Sequence, residues 1–279
     1  MKKILFISAM FMSSLLFFQC EDGTEVEIQK PKENDYKLYT DVLSNLESMN
    51  NQKNLAFQDT TSSEDGRLAT DDCLSFSFEL VSNGTSVPGF GTEYGKMVLT
   101  FNGSTCDDGI ARDGSLQIYF KGWGADYKDS TQAINLSQNG YTLNGYSASN
   151  NLPGKSDFFA PTNQVRRDIS LTFPNNTTYQ FISNEEFTFD NIFSEQGEIR
   201  WIGQSQLNTP TGYVIFGNIQ EELVSTNSCS FFQYIVGGKT RLTNNIDQQG
   251  LVIDFGNGSC DKAGKVIFDD GEVVDYQWQ

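Results

Sequence analysis

Two stretches near opposite ends of the chain end alike: Val98–Asp107 reads VLTFNGSTCD and Leu251–Asp261 reads LVIDFGNGSCD. In each, an apolar–polar alternation closes on Phe, passes through Gly, Asn and Ser, and reaches Cys-Asp, with Phe101 and Phe255 equally far ahead of Cys106 and Cys260. The likeness runs upstream, where Cys73 opens CLSFSFEL and Cys229 opens CSFFQYIV at closely matching distances from Cys106 and Cys260. Downstream, each Cys-Asp leads through a Gly-bearing loop into a further alternating segment, Gly114–Phe120 and Gly264–Phe268. Together these read as an internal duplication, with repeat one at 73–122, central strands at 123–228 and repeat two at 229–279. Alternation of period two buries one face of a strand and none of a helix, so a chain doubled this way is committed to sheet.

The start of the chain belongs to no fold. Met1-Lys2-Lys3 is basic, and Ile4–Phe18 is an unbroken apolar or small-residue run. That run is short for a membrane span and right for a signal peptide, expected at 1–19. Cys20 follows it directly, and the arrangement resembles a bacterial lipoprotein signal, in which the Cys becomes the lipid-bearing first residue. Residues 20–34 read as an acidic tether, and Glu21–Glu27 resembles the surface-export signals of Bacteroidota lipoproteins. The expected partner is therefore a membrane, reached through an N-terminal lipid. The expected location is the outer membrane, surface-exposed, with a periplasmic or secreted protein as the alternative.

With Cys20 given to lipid, Cys73, Cys106, Cys229 and Cys260 remain. Outside the inner membrane they are free to form disulfides, in any of three connectivities. One bridge per repeat, Cys73–Cys106 and Cys229–Cys260, is favoured. Bridges between repeats stay open, because the first and third strands of a meander run the same way and would set the two cysteines of a repeat at opposite ends. Zinc is the lesser reading, since the chain has no His and no Cys-x-x-Cys.

Residues 35–72 read as a short amphipathic helix plus a linker. Over Asp35–Asn50 the apolar positions Tyr39, Val42, Leu43, Leu46 and Met49 fall on one face, a stripe expected to dock on the β domain. Gln52–Asp72 is polar and reads as linker. From Cys73 onward the period changes to two, and no second helical pattern of useful length appears. The expected fold is all-β: an antiparallel β-sandwich or open barrel built from a duplicated β-meander, with the first and last repeats meeting.

The DFG-x-G-x-C-D type segment at Asp254–Asp261, the lipoprotein start, and Trp201–Gln204 followed by Gly212–Gly217 carry a likeness to known proteins. Over about residues 90 to 279 the chain is similar to lipoproteins of Bacteroidota that form a family without established activity. In repeat one, Thr100-Phe101-Asn102 stands where repeat two has Asp-Phe-Gly. The resemblance implies an anchored envelope protein and supplies no catalytic residues.

The residue inventory excludes several functions. Without His, neither a Ser-His-Asp triad nor His-ligated zinc catalysis is available, and no Gly-rich phosphate cradle opens a helix. A formal charge of −17 repels nucleic acid. Asp107, Asp108 and Asp113 around the first Cys-Asp loop, with Asp254 and Asp261 at the second, are candidate calcium ligands; their turn-and-cap use fits better, and no other cofactor is expected. Trp123, Tyr127, Tyr141 and Tyr146 lie in polar surroundings where they could stack on a sugar, although core packing is the commoner use. Glu185 and Glu186 are adjacent in a strand pattern, face opposite sides and cannot form a glycosidase pair. Asp59-Thr60-Thr61 and Asp129-Ser130-Thr131 resemble a Bacteroidota O-glycosylation pattern. The expected function is a lipid-anchored envelope or cell-surface protein with a non-enzymatic binding or structural β domain. The alternative is a surface glycan-binding module or a glycoside hydrolase.

Overall fold

The computed structural model describes residues 33–62, 73–88, 90–106, 109–122, 128–151, 162–190, 196–226, 228–229, 235–246, 250–261 and 263–277. The chain opens with α1 (Glu33–Ser62), then runs through β1 (Leu74–Val81), β2 (Tyr94–Thr105), β3 (Ala111–Lys121), β4 (Lys128–Gln138), β5 (Tyr141–Asn151) and β6 (Thr162–Thr172). It continues with β7 (Thr178–Asp190), β8 (Glu198–Asn208), β9 (Val214–Thr226), β10 (Gly237–Asn244), β11 (Gly250–Asn257), β12 (Ala263–Phe268) and β13 (Val273–Gln277). All are antiparallel neighbours in one 13-stranded sheet whose spatial order is the chain order. The fold is thus all-β in the open-barrel form. The two end repeats do not pair: β1 and β13 are the sheet's two edges.

Bulges curl this sheet. The register slips between Asp113 and Ser115 against β4, and between Ala133 and Leu136 against β5. Asn135 sits in the slip at φ 48°, flanked across the strands by Gly114 and Gly145 at φ 96° and 135°. A Cβ at Gly145 would collide with the Asp168 carbonyl oxygen, so only glycine fits. Each bulge increases local twist. Further slips between β8 and β9 and around Gly237–Lys239 repeat the device.

The curl encloses α1. Tyr36, Tyr39, Val42, Leu43, Leu46 and Met49 are buried, and so are the polar Thr40, Asn45 and Gln52. These positions cover about two thirds of the helix circumference, where a helix lying on a flat surface would bury a stripe. Its partners come from both flanks of the sheet. Tyr36 packs on Tyr276 of β13, and Tyr39 shares a 2.7 Å hydrogen bond with Ser205 of β8. Gln138 of β4 donates to the Asn45 carbonyl at 2.8 Å, and Arg112 of β3 donates to Ser48 at 2.8 Å. The stripe read from the sequence is buried as expected, but the helix runs on through the expected linker to Ser62.

The disulfides take the favoured connectivity, Cys73 to Cys106 and Cys229 to Cys260. The first closes easily because Cys106 follows the second strand of its meander, not the third. Leu74 pairs with Phe101, and the Asn102 amide donates to the Cys73 carbonyl at 3.1 Å, which brings the two cysteines to the same end. The second bridge is built differently. Cys229 stands in a turn, and Ile235 and Val236 lie outside any strand; residues 230–234 lie outside the described residues. The bridge ties the β9–β10 connection to the β11–β12 connection. Disulfides of this kind indicate a location outside the reducing cytoplasm. Among the described residues no helix is long and apolar enough to cross a membrane.

Candidate functional site

Along the central strands the inward residues change character. Toward one end they are apolar, as at Leu143, Ile169, Leu171, Phe181, Leu207 and Ile215. Further along, one continuous row of paired residues crosses β4 to β9: Thr131, Ser147, Arg167, Ser183, Ser205 and Gly217. Five small residues flank a single arginine. Small side chains on the inside of a wide, helix-filled barrel leave room, and a cavity of about 180 Å³ opens beside them.

Its walls are chemically distinct. From α1 come Glu47, Asn50, Asn51 and Lys53; the hydroxyl wall is Ser147, Ser149 and Ser225. The aromatic wall is Phe187 stacked on Trp201, cross-strand partners with centroids 5.3 Å apart and rings 8° from parallel. The Arg167 guanidinium lies over the Phe187 ring, 5.3 Å from its centroid, within the range at which a ring face attracts a cation.

Charges here are deeply placed. Arg167 Nη1 donates to Glu185 Oε2, with side chains only 3% and 4% exposed. Burial pushes the Glu185 carboxyl above its usual range, against the opposing pull of Arg167. Lys53 Nζ lies 3.3 Å from Asp129, whose side chain is also buried. Two atoms at the cavity have no partner among the described residues: Asn163 Oδ1, an acceptor, and Arg167 Nε, a donor. Glu47 makes no hydrogen bond or ion pair with the described residues. Burial first, and Glu185 after it, push its carboxyl up to about 7, while Arg167 and Lys53 hold it down.

This gives a testable pH signature. An acid whose folded pKa is raised stabilises the fold below its unfolded pKa, and that contribution is lost as pH rises through the folded value. For Glu47 the window runs from 4.5 to about 7. Glu47→Gln removes the titration, so relative to wild type it gains on the order of 2 kcal/mol between the acid and alkaline ends of that window, allowing for screening by cavity water. Urea unfolding of both proteins across the window checks this; parallel stability–pH curves would refute it.

The residues singled out from sequence fall elsewhere. Tyr141 points inward and packs edge-on against Phe173 at 4.7 Å, donating to Asp41 at 3.3 Å. Tyr146 is on the outer face, 47% exposed, so the two do not form one platform. Trp123, Tyr127, Asp107, Asp108 and Cys20 lie outside the described residues. Asp113 is exposed on β3, while Asp254 accepts from the Gly256 amide and Asp261 from the Ala263 amide, both turn-capping roles. No cluster of three or more potential metal-binding side chains forms among the described residues. Of the second glycosylation motif, Asp129 and Thr131 are buried in β4, and Ser130 between them is half-buried on the opposite face of the strand.

Sequence reading missed Arg167, Glu185 and Glu47 as site residues, although a signal was present. Extending the inward parity of Ile169 and Leu171 backwards puts Arg167, Val165 and Asn163 inside. Compared with family models, with curated proteins and with solved structures, the chain matches none.

Proposed function

We propose that this chain is a lipid-anchored envelope protein, held through Cys20, whose β domain binds a small polar molecule between α1 and the central strands. The observation that carries the reading is the cavity, which combines an aromatic wall, unpartnered buried polar atoms, the Lys53–Asp129 ion pair and the Arg167 side chain in one half-open space. Structural interiors satisfy their buried polar groups, and ligand sites are concave with a few convergent polar groups on apolar walls. A dry engineered cavity of about 150 Å³ holds benzene, so this one suits a molecule of roughly one ring. The lipoprotein-like start and the acidic run after Cys20 support presentation at a membrane surface, and the disulfides support an extracytoplasmic site.

The test uses the mature chain and a panel of sugars, amino sugars, polyols and amino acids, read by thermal shift. At least one compound raises the melting temperature of wild type but not of Ser149→Leu, which fills the cavity. If no compound shifts wild type, or if both proteins shift equally, the binding reading fails. Turnover of an aryl glycoside in the same panel, lost in Glu47→Gln, would instead favour the glycoside hydrolase, a reading supported by the raised Glu47 carboxyl sharing the cavity with Asp129. Intact mass reports the anchor: an acyl mass on Cys20, absent from Cys20→Ser.

A further inference from the structure

Resting on the reading of the cavity as a ligand site, we infer that its ligand is a hydroxylated, ring-sized molecule with one positive charge, an amino sugar or its like, whose ammonium sits on Glu47. The groups facing Glu47 are Lys53 on its own helix, Arg167 from β6 and Glu185 from β7, with Asp129 of β4 behind Lys53. Two bases meet three acids. Arg167 is committed to Glu185 and Lys53 to Asp129, which leaves Glu47 as the acid without a counter-ion. Glu47 is half-buried in the cavity wall; a carboxylate withdrawn from bulk water without a counter-ion is disfavoured, and a proton or a cation relieves it most directly. An anionic ligand would add to the imbalance inside a chain of formal charge −17.

The remaining chemistry selects hydroxyls. Asn163 Oδ1 seeks a donor and Arg167 Nε an acceptor, and Asn163 and Arg167 are 9% and 4% exposed. A hydroxyl both donates and accepts, so neighbouring hydroxyls on one ring satisfy such an unlike pair. Serine hydroxyls at 147 and 149 extend the same wall. The Phe187–Trp201 stack supplies a flat apolar side for the ring's C–H face. Because the ammonium and a proton compete for Glu47, binding is linked to pH, in the direction of tighter binding as Glu47 ionises.

Titration calorimetry of the mature chain with glucosamine, glucose and glucuronate tests this. Glucosamine binds wild type at least tenfold tighter than either neighbour, and its affinity falls about tenfold from pH 7 to about pH 5.5 as Glu47 takes up a proton. Glu47→Gln, verified as folded by its melting transition, loses about tenfold in glucosamine affinity together with the pH dependence. Glucose or glucuronate binding as tightly as glucosamine, or Glu47→Gln leaving glucosamine binding unchanged, overturns the charge assignment while the cavity remains a binding site. A panel ligand without an ammonium does the same. No binding by any of the three, with no thermal shift from the wider panel, overturns both readings together.

Discussion

Arg167→Met lowers the unfolding free energy by about 3–5 kcal/mol, the cost of leaving a buried charge without its partner. The stranded group is Glu185, in contact with Arg167 and 4% exposed at its side chain. On β7 it is flanked on the neighbouring strands by Val165 and Gly203, neither of which offers a replacement counter-ion. Acid relieves the variant: Glu185 already has a raised carboxyl pKa in the presence of Arg167, and without the guanidinium it takes up a proton more readily, so the deficit shrinks as pH falls. The double variant Arg167→Met/Glu185→Leu recovers most of the loss, because apolar pairs of similar volume often replace buried ion pairs without penalty. Chemical denaturation followed by tryptophan fluorescence measures all three proteins. A single-variant loss below about 1 kcal/mol would show that water reaches Glu185 in solution.

Reduction of both disulfides has the larger total effect. The closed loops span 33 and 31 residues, and the chain-entropy account assigns about 3–4 kcal/mol to each. Their sum is comparable with the whole stability of an ordinary domain, about 5–15 kcal/mol, so the reduced chain sits close to its unfolding transition at ambient temperature. The two bridges differ in what survives their loss. Cys73→Ala/Cys106→Ala leaves β1 paired to β2 along all of β1. Cys229→Ala/Cys260→Ala leaves the β9–β10 and β11–β12 connections with the end of the β10–β11 ladder, where the Gly258 amide donates to the Val236 carbonyl at 2.7 Å, in place of a strand pairing as long as β1–β2, so local protease sensitivity appears there first. Native protein shows none of these four thiols to an alkylating reagent before reduction; four reactive thiols in the native state, or an unchanged melting temperature on reduction, would contradict this assignment.

Much of the fold was legible because its apolar rows alternate cleanly. Ile169 and Leu171 on β6, and Leu251, Ile253 and Phe255 on β11, announce both strand and inner face. Cysteine pairing was legible only as the favoured one of three connectivities, and the reason Cys73 meets Cys106, the position of Cys106 just after β2, needed the register. What stayed hidden is polar. β4 reads KDSTQAINLSQ, and its inward residues include Asp129, Thr131 and Gln138. Such a strand has no apolar alternation to detect, and the bulge at Asn135 shifts its parity midway. The end of α1 was missed for the same reason: beyond Met49 its contacts pass to Gln52 and to Lys53, which pairs with Asp129. The polar part of the cavity wall is made of residues that hydropathy assigns to the surface, Glu47, Lys53, Asp129, Asn163 and Arg167 among them.

Each strand of this sheet bonds only to strands adjacent in sequence, whereas the ties from α1 reach far along the chain: Tyr39 meets Ser205 across 166 positions, and Asp35 meets Tyr213 across 178. Hairpins can therefore zip one after another as the polypeptide emerges, each needing only a short excursion of chain. The helix, made first, must wait for the last strands before it is fully wrapped. Assembly should accordingly proceed from fast local ladders to a slow final embrace of the N-terminal segment, and the chamber for a guest exists only once that last step is complete.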